Sequence, residues 1–161
     1  MFKSLTIVSV LLASVAAQST AVFAADEYNV SSGITAVGAP LALHGVDPVA
    51  FIQSGRPVEG AAELASTHDG AAYYFSTAEN KKAFDANPEA FVPQNGGFCT
   101  FGVSVGKKFD GNPSYSAVID KKLYVFLNKE VYDAFNKNRA GTISNASDQW
   151  AQIRSVEVEK L

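Results

Sequence analysis

A repeated segment constrains the fold of this chain more than any other feature of its sequence. Residues 69–87 read DGAAYYFSTAENKKAFDAN, and residues 120–138, 51 positions later, read DKKLYVFLNKEVYDAFNKN. Each copy begins with a turn signal, continues as a short aromatic strand and passes through a polar capping residue into a helix. The sequence therefore predicts two strand–helix units that bury their apolar faces against one another. The identical pairs are Asp69/Asp120, Tyr73/Tyr124, Phe75/Phe126, Glu79/Glu130, Ala83/Ala134, Phe84/Phe135 and Asn87/Asn138.

The segments around the two copies complete an α+β pattern. The first helix is expected to begin at Ser76 or Thr77, and Pro88 ends it, because proline cannot donate the backbone hydrogen bond. We expect a turn that enters a short helix or strand in residues 39–53, and a tight turn followed by a strand in residues 94–108. A C-terminal helix is expected in residues 142–154. We therefore expect a small antiparallel sheet with packed helices in one domain, residues 39–154. A mobile segment, residues 25–38, precedes this domain, and a short tail, residues 155–161, follows it.

The first 24 residues have the pattern of a secretory leader. Lys3 precedes an apolar run from Leu5 to Ala17, and Val22-Phe23-Ala24 offers the small residues that a signal peptidase accepts. We expect cleavage after Ala24 and a periplasmic or secreted protein. No later segment approaches the roughly 20 apolar residues of a membrane span, so none is expected once the leader is removed.

Charge and motif content narrow the function classes. The chain has 13 Lys and Arg against 16 Asp and Glu, a net charge of −3, and no cluster of basic residues that would indicate a nucleic-acid surface. No paired-carboxylate, serine-triad, Walker or dinucleotide signature is present, and the glycines at 96, 97 and 102 lack the spacing of a phosphate-binding loop. The sequence therefore favours a non-enzymatic protein.

Cys99 is the only cysteine of the chain and follows a glycine pair in the sequence Gly96-Gly97-Phe98-Cys99. A single cysteine cannot form an internal disulfide. In an oxidising compartment its thiol is therefore expected to be buried, bound to a ligand or paired with another molecule.

Several separated blocks together resemble the YHS-domain family in its small exported form, over roughly residues 39–153. The blocks are GVDPVAF (45–51), the YYF strand, STAENKKAF (76–84) with NPEAFVPQNGGFC (87–99), SVGKK (104–108) and GNPSYSAVIDKKLYVF (111–126). This resemblance implies a compact α+β domain related to metal-associated domains of the treble-clef type, and no known reaction. Metal-linked members carry three cysteines where this chain has Ala50, Ser76 and Asn80. A zinc site of that thiolate pattern therefore cannot form here.

A mixed metal site is the first functional hypothesis. Cys99 offers sulfur, His44 and His68 offer imidazole nitrogen, and Asp47 offers oxygen. If the fold brings Cys99, Asp47 and His44 together, this donor set suits copper or zinc. For His68 the simpler expectation is a hairpin-turn residue that faces water.

The sequence also leaves open two functions that involve no metal ion. In the first, apolar side chains line a pocket for a small organic ligand or a protein partner, and Lys107 and Asp47 fix its orientation. The proposed pocket residues are Phe51, Phe98, Phe101, Lys107 and Tyr115. In the second, Cys99 is a redox-active thiol that forms a sulfenic acid or a mixed disulfide.

Overall fold

The computed structural model describes residues 27–161, so the predicted leader and its cleavage point lie outside the described residues. Within this range the chain forms five α-helices and two separate antiparallel sheets of two strands each. The predicted α+β class is confirmed, with two sheets in place of one. The elements are α1 (Pro48–Ser54), β1 (Ala61–His68), β2 (Ala71–Phe75), α2 (Ala78–Ala86), α3 (Thr100–Ser104), β3 (Asn112–Ile119), β4 (Lys122–Phe126), α4 (Lys129–Lys137) and α5 (Arg139–Ile153).

The repeated sequence corresponds to a repeated hairpin and helix. β1 pairs with β2 and β3 with β4, and both hairpins carry their register irregularity at equivalent positions, 61/65 and 112/116. Thr77 caps α2 by accepting from the Asn80 N–H at 3.1 Å, and Asn128 caps α4 by accepting from the Val131 N–H at 3.0 Å. Each unit therefore contains one strand more than the sequence pattern indicated.

Each unit has its own aromatic core. Phe84 of α2 packs on Tyr73 and Phe75 with ring centroids 4.9 and 5.1 Å apart. Phe135 of α4 packs on Phe126 at 4.3 Å, and all five rings are completely buried. Another apolar cluster joins the units, because Phe51 of α1 packs in it with residues of β4. The predicted assignment of these aromatic residues to the core is consistent with these contacts.

The segment from Gln94 to Lys108 is not the predicted strand. A 3-10 turn, Gln94–Gly97, leads into α3, and the Val103 N–H donates to the Cys99 carbonyl at 2.9 Å. α3 buries Val103 against Ala146 and Ile153 of α5. The alternation of apolar residues in so short a segment does not distinguish strand from helix, and packing against α5 decides for helix.

The segment expected to be mobile is attached to the domain at residues 27–31. The Tyr28 hydroxyl donates to Asp69 Oδ2 at 2.9 Å, and the Asn29 N–H donates to the Gly96 carbonyl at 2.8 Å. Arg154 Nη2 donates to Glu27 Oε2 at 3.0 Å. Residues 27–31, named here the N-terminal segment, thus contact the first hairpin, the 94–97 turn and the end of α5.

Two glycines 51 positions apart precede the hairpins and permit close packing. A Cβ at Gly60 would lie 2.5 Å from the Tyr74 carbonyl carbon, and a Cβ at Gly111 would overlap the Gly97 carbonyl oxygen and Val125. We expect Gly60→Ala and Gly111→Ala each to lower the free energy of unfolding by about 1–3 kcal/mol. Urea unfolding measures this change.

Gly70→Asn is the control for these two variants. Gly70 has a φ of +81° and no atom within 4 Å of its Cβ position, and asparagine tolerates this conformation better than most residues. Its unfolding midpoint should therefore change less than those of the two alanine variants. Equal losses in all three variants would contradict the steric explanation.

Candidate functional site

Cys99 lies in the core of the second unit. It is the residue before α3, its N–H donates to the Phe109 carbonyl at 2.9 Å, and only 1% of its surface is exposed. The side chain belongs to the apolar cluster of Tyr124, Phe126 and Phe135. The fold therefore provides this thiol with an aromatic environment.

Asp47 is completely buried and its carboxylate is fully used by hydrogen bonds. Oδ1 caps α1 by accepting from the Val49 and Ala50 N–H groups, both at 2.9 Å. Oδ2 accepts from the Ser76 N–H and hydroxyl, both at 2.7 Å, and from Asn80 Nδ2 at 2.8 Å. Burial alone would raise the pKa of Asp47, but these donors, the Ser76 N–H first, hold it below its usual value. Asp47 thus connects α1 to the start of α2.

The same contacts involve the three positions at which the resemblance to metal-linked YHS domains would place cysteines. Ala50, Ser76 and Asn80, which stand where metal-linked members carry cysteine, all approach the Asp47 carboxylate. These positions therefore do come together, but a carboxylate with polar donors occupies the place where thiolates would bind a metal ion. The residues present do not fit that metal site.

His44 lies apart from both Asp47 and Cys99. Its Nε2 is 3.0 Å from Asp110 Oδ1, an oxygen that also accepts from Asn29 Nδ2 at 2.7 Å. Burial alone would raise the pKa of Asp110, and the bonds from Asn29 and His44 lower it. Among residues 27–161, His44, Asp47 and Cys99 form no group of three ligand atoms close enough to share one ion.

The predicted pocket residues are distributed over three apolar clusters and the surface. Phe51 packs with Val46 and Leu123, whereas Phe98 packs with Val103 and α5. Phe101 and Tyr115 border the cluster around Cys99. Lys107 is exposed and donates to the Leu161 carbonyl, while the neighbouring Lys108 is buried and donates to the Arg154 and Val156 carbonyls at 2.9 and 2.7 Å.

The structure brings together a different set of metal-ligand types. His68 ends β1, Asp69 begins the hairpin turn with a φ of +47°, and Glu89 lies on the 3-10 turn Pro88–Ala90. One ligand atom from each of these residues lies within 4.8 Å of the other two. His68 Nε2 is 3.0 Å from Glu89 Oε1 and 3.6 Å from Asp69 Oδ2. Both carboxylates therefore approach the same ring nitrogen.

The surroundings of this cluster hold the histidine in place. The ring of His68 meets Phe84 edge-on, with centroids 6.2 Å apart, and only 19% of its side chain is exposed. This differs from the expectation that His68 faces water. The turn sequence His-Asp-Gly gave no signal for the partner, because Glu89 lies 21 residues after His68 and reaches it through the bend at Pro88.

A buried hydroxyl without a partner belongs to the same hairpin as His68. Tyr73 is completely buried, and its hydroxyl has no hydrogen-bond partner in the described part of the chain. Its ring packs on Phe84, which the His68 ring also meets. Burial raises the pKa of Tyr73, and the charges of Tyr28, Asp69 and Glu89 raise it further. Buried hydroxyls are usually hydrogen-bonded, so an unsatisfied one often marks the position of a water molecule or an ion.

Among residues 27–161 no helix is both long enough and apolar enough to cross a membrane. Comparison with known proteins gives no relative: no family model, no curated protein and no solved structure matches this chain.

Proposed function

We propose that this protein is an exported, non-enzymatic metal-binding protein that binds zinc or copper(II) between His68, Asp69 and Glu89. The observation that carries this proposal is the convergence of the three ligand atoms within 4.8 Å of one another. The proposal keeps the metal class and the export that the sequence predicts, and it replaces the predicted ligands Cys99, Asp47 and His44 by a different set. The buried position of Cys99 favours neither a thiol ligand nor a redox-active thiol.

The donor set selects the type of ion. One imidazole nitrogen with two carboxylate oxygens suits divalent zinc or copper, whereas copper(I) prefers sulfur ligands. Protons compete with a metal ion for imidazole and carboxylate ligands in general, so binding is expected to weaken at low pH. Tyr28 supports the site by its hydrogen bond to Asp69, an arrangement that commonly orients metal ligands.

Replacing His68 is expected to remove most of the metal affinity. Isothermal titration of the metal-free protein with zinc chloride should give one equivalent, and His68→Gln should weaken binding by about 100-fold or more, because even outer-shell groups contribute 10- to 100-fold. Asp69→Asn should weaken binding by about tenfold or more. Asparagine tolerates the left-handed turn conformation of this position, so the hairpin is preserved.

Two variants are the controls for this titration. His44→Gln changes the other histidine of the chain, and Cys99→Ala removes the only thiol. Both should bind zinc like the unmodified protein. If Cys99→Ala abolishes binding and His68→Gln does not, the thiol is the ligand and the proposed site is wrong.

A further inference from the structure

A cleft on the other side of Glu89 carries a second inference. It has a volume of about 320 Å³ and lies between the N-terminal segment, the loop from Glu89 to Gly96, β4 and α5. Tyr28, Tyr124 and Trp150 contribute aromatic surface to it, and Gln94, Lys122 and Ser147 contribute polar groups. The lining of the cleft is thus mostly polar, and the three aromatic side chains supply its apolar surface.

The charged side chains of the cleft differ in whether another residue pairs with them. Glu27 is paired with Arg154 at 3.0 Å and accepts from the Ser155 hydroxyl at 2.8 Å, and Glu89 pairs with His68. In contrast, the Lys122 ammonium has no hydrogen bond or ion pair with any described residue. Lys122 is exposed to solvent, so its ammonium is available to a ligand, whereas the acids of the cleft are bound to other residues.

A second polar group without a protein partner lines the cleft. Tyr124 is only 7% exposed, and no described residue hydrogen-bonds its hydroxyl. Burial raises the pKa of Tyr124, and the charge of Asp120 raises it further. A phenol hydroxyl can donate a hydrogen bond to a ligand. An ammonium group and a phenol that open into one cleft are complementary to an anionic acceptor.

We infer that this cleft binds a small organic anion that joins a carboxylate to a flat apolar body. The carboxylate would accept from Lys122 and the Tyr124 hydroxyl, and the flat body would lie against the Trp150 ring. A more apolar groove of about 590 Å³ shares Glu89, Val92, Gln94 and Lys122 with the cleft, so there is space for a body larger than one ring. The groups that would hold the anion differ from the proposed metal ligands, although Glu89 and Tyr28 border both sites.

The test uses 2-naphthoate as the probe and the single tryptophan as the reporter. Because Trp150 is the only tryptophan of the chain, one indole N–H signal in a ¹H–¹⁵N NMR spectrum reports on the cleft. Titration with 2-naphthoate, in the presence of a chelator, should shift this signal in a saturable way. The neutral 2-naphthalenemethanol and the cationic 2-naphthylmethylammonium have the same ring and should bind about tenfold more weakly or not at all.

Substitutions in the cleft separate the two contacts. Lys122→Met should weaken binding of 2-naphthoate by about tenfold and abolish the preference for the anion. Tyr124→Phe should also weaken binding while leaving the preference intact. Lys82→Met, on the exposed surface of α2, is the matched control and should change nothing. An indole signal that does not respond to 2-naphthoate, or that responds equally to the alcohol, would overturn the inference. The chelator makes either result independent of zinc binding.

Discussion

Replacing Asp47 by alanine is expected to lower the free energy of unfolding by roughly 3–5 kcal/mol, because it removes a helix cap and leaves buried donors unsatisfied. The carboxylate accepts from the Val49 and Ala50 N–H groups of α1 and from Ser76 and Asn80 near α2. Without it, the Ser76 N–H loses its acceptor in a partly buried place. Since small domains are stable by only about 5–15 kcal/mol, this loss is large. Urea unfolding followed by circular dichroism measures it.

The effect of Asp47 should also depend on pH in a defined direction. The folded-state pKa of Asp47 lies below its usual value. Its ionised carboxylate therefore contributes to the free energy of unfolding above the unfolded-state pKa of about 3.9. This contribution is lost as the pH falls through the folded-state pKa. The difference between the unmodified protein and Asp47→Ala should therefore shrink on acidification below about pH 4. Asp133→Ala removes an exposed ion pair with Lys129 and should leave stability almost unchanged at neutral pH. A gap that widens on acidification would contradict this role.

The largest apolar losses are expected at the two equivalent phenylalanines, Phe84 and Phe135. Each is completely buried against the aromatic residues of its own hairpin. Replacement by alanine should cost about 3–5 kcal/mol at either position, through lost burial and the cavity left behind. The shift of the urea midpoint at constant slope measures this loss.

Phe109 provides the matched control, because the same substitution there removes a ring that is 48% exposed. Phe109→Ala should cost clearly less than either core substitution. A large loss at Phe84 with none at Phe135 would show that the second unit contributes little to the cooperative fold, contrary to its equivalent packing.

The repeated unit could be predicted because its signals are local. The turn residues, the aromatic strand, the helix cap and Asn-Pro after the first helix all lie within 20 residues. β1 was missed because its first three residues are exposed and its sequence, AAELASTH, shows little apolar alternation. Gly60 and Gly111 likewise give no local signal, since their role depends on strands that return to them from later in the chain.

Two of the predicted metal ligands, Asp47 and Cys99, stand at corresponding positions in different units of the repeat. The Asp47 N–H donates to the Val58 carbonyl and the Cys99 N–H to the Phe109 carbonyl, so that the two residues occupy equivalent places before α1 and α3. Asp47 meets Ser76 and Asn80 in its unit. The residues 51 positions after these two are Leu127 and Val131, and Cys99 lies in the same cluster as Val131. The polar contacts of Asp47 therefore lie in the first unit, whereas Cys99 lies in an apolar cluster of the second unit.

The cluster around His68 could not be predicted because it depends on contacts between distant parts of the chain. Glu89 reaches His68 only after α2 and the bend at Pro88, and Tyr28 joins from the N-terminal segment. Hydrophobic periodicity carries no information on where such surface side chains meet.

The N-terminal segment has a consequence for the order of events during synthesis. The ribosome makes Glu27 first, whereas Arg154 and Ser155, which bond to it, follow 127 and 128 residues later. This edge of the cleft can therefore close only after residues 154 and 155 have been added to the growing chain. Until then, Glu27 lacks the two partners that bind it beyond the end of α5.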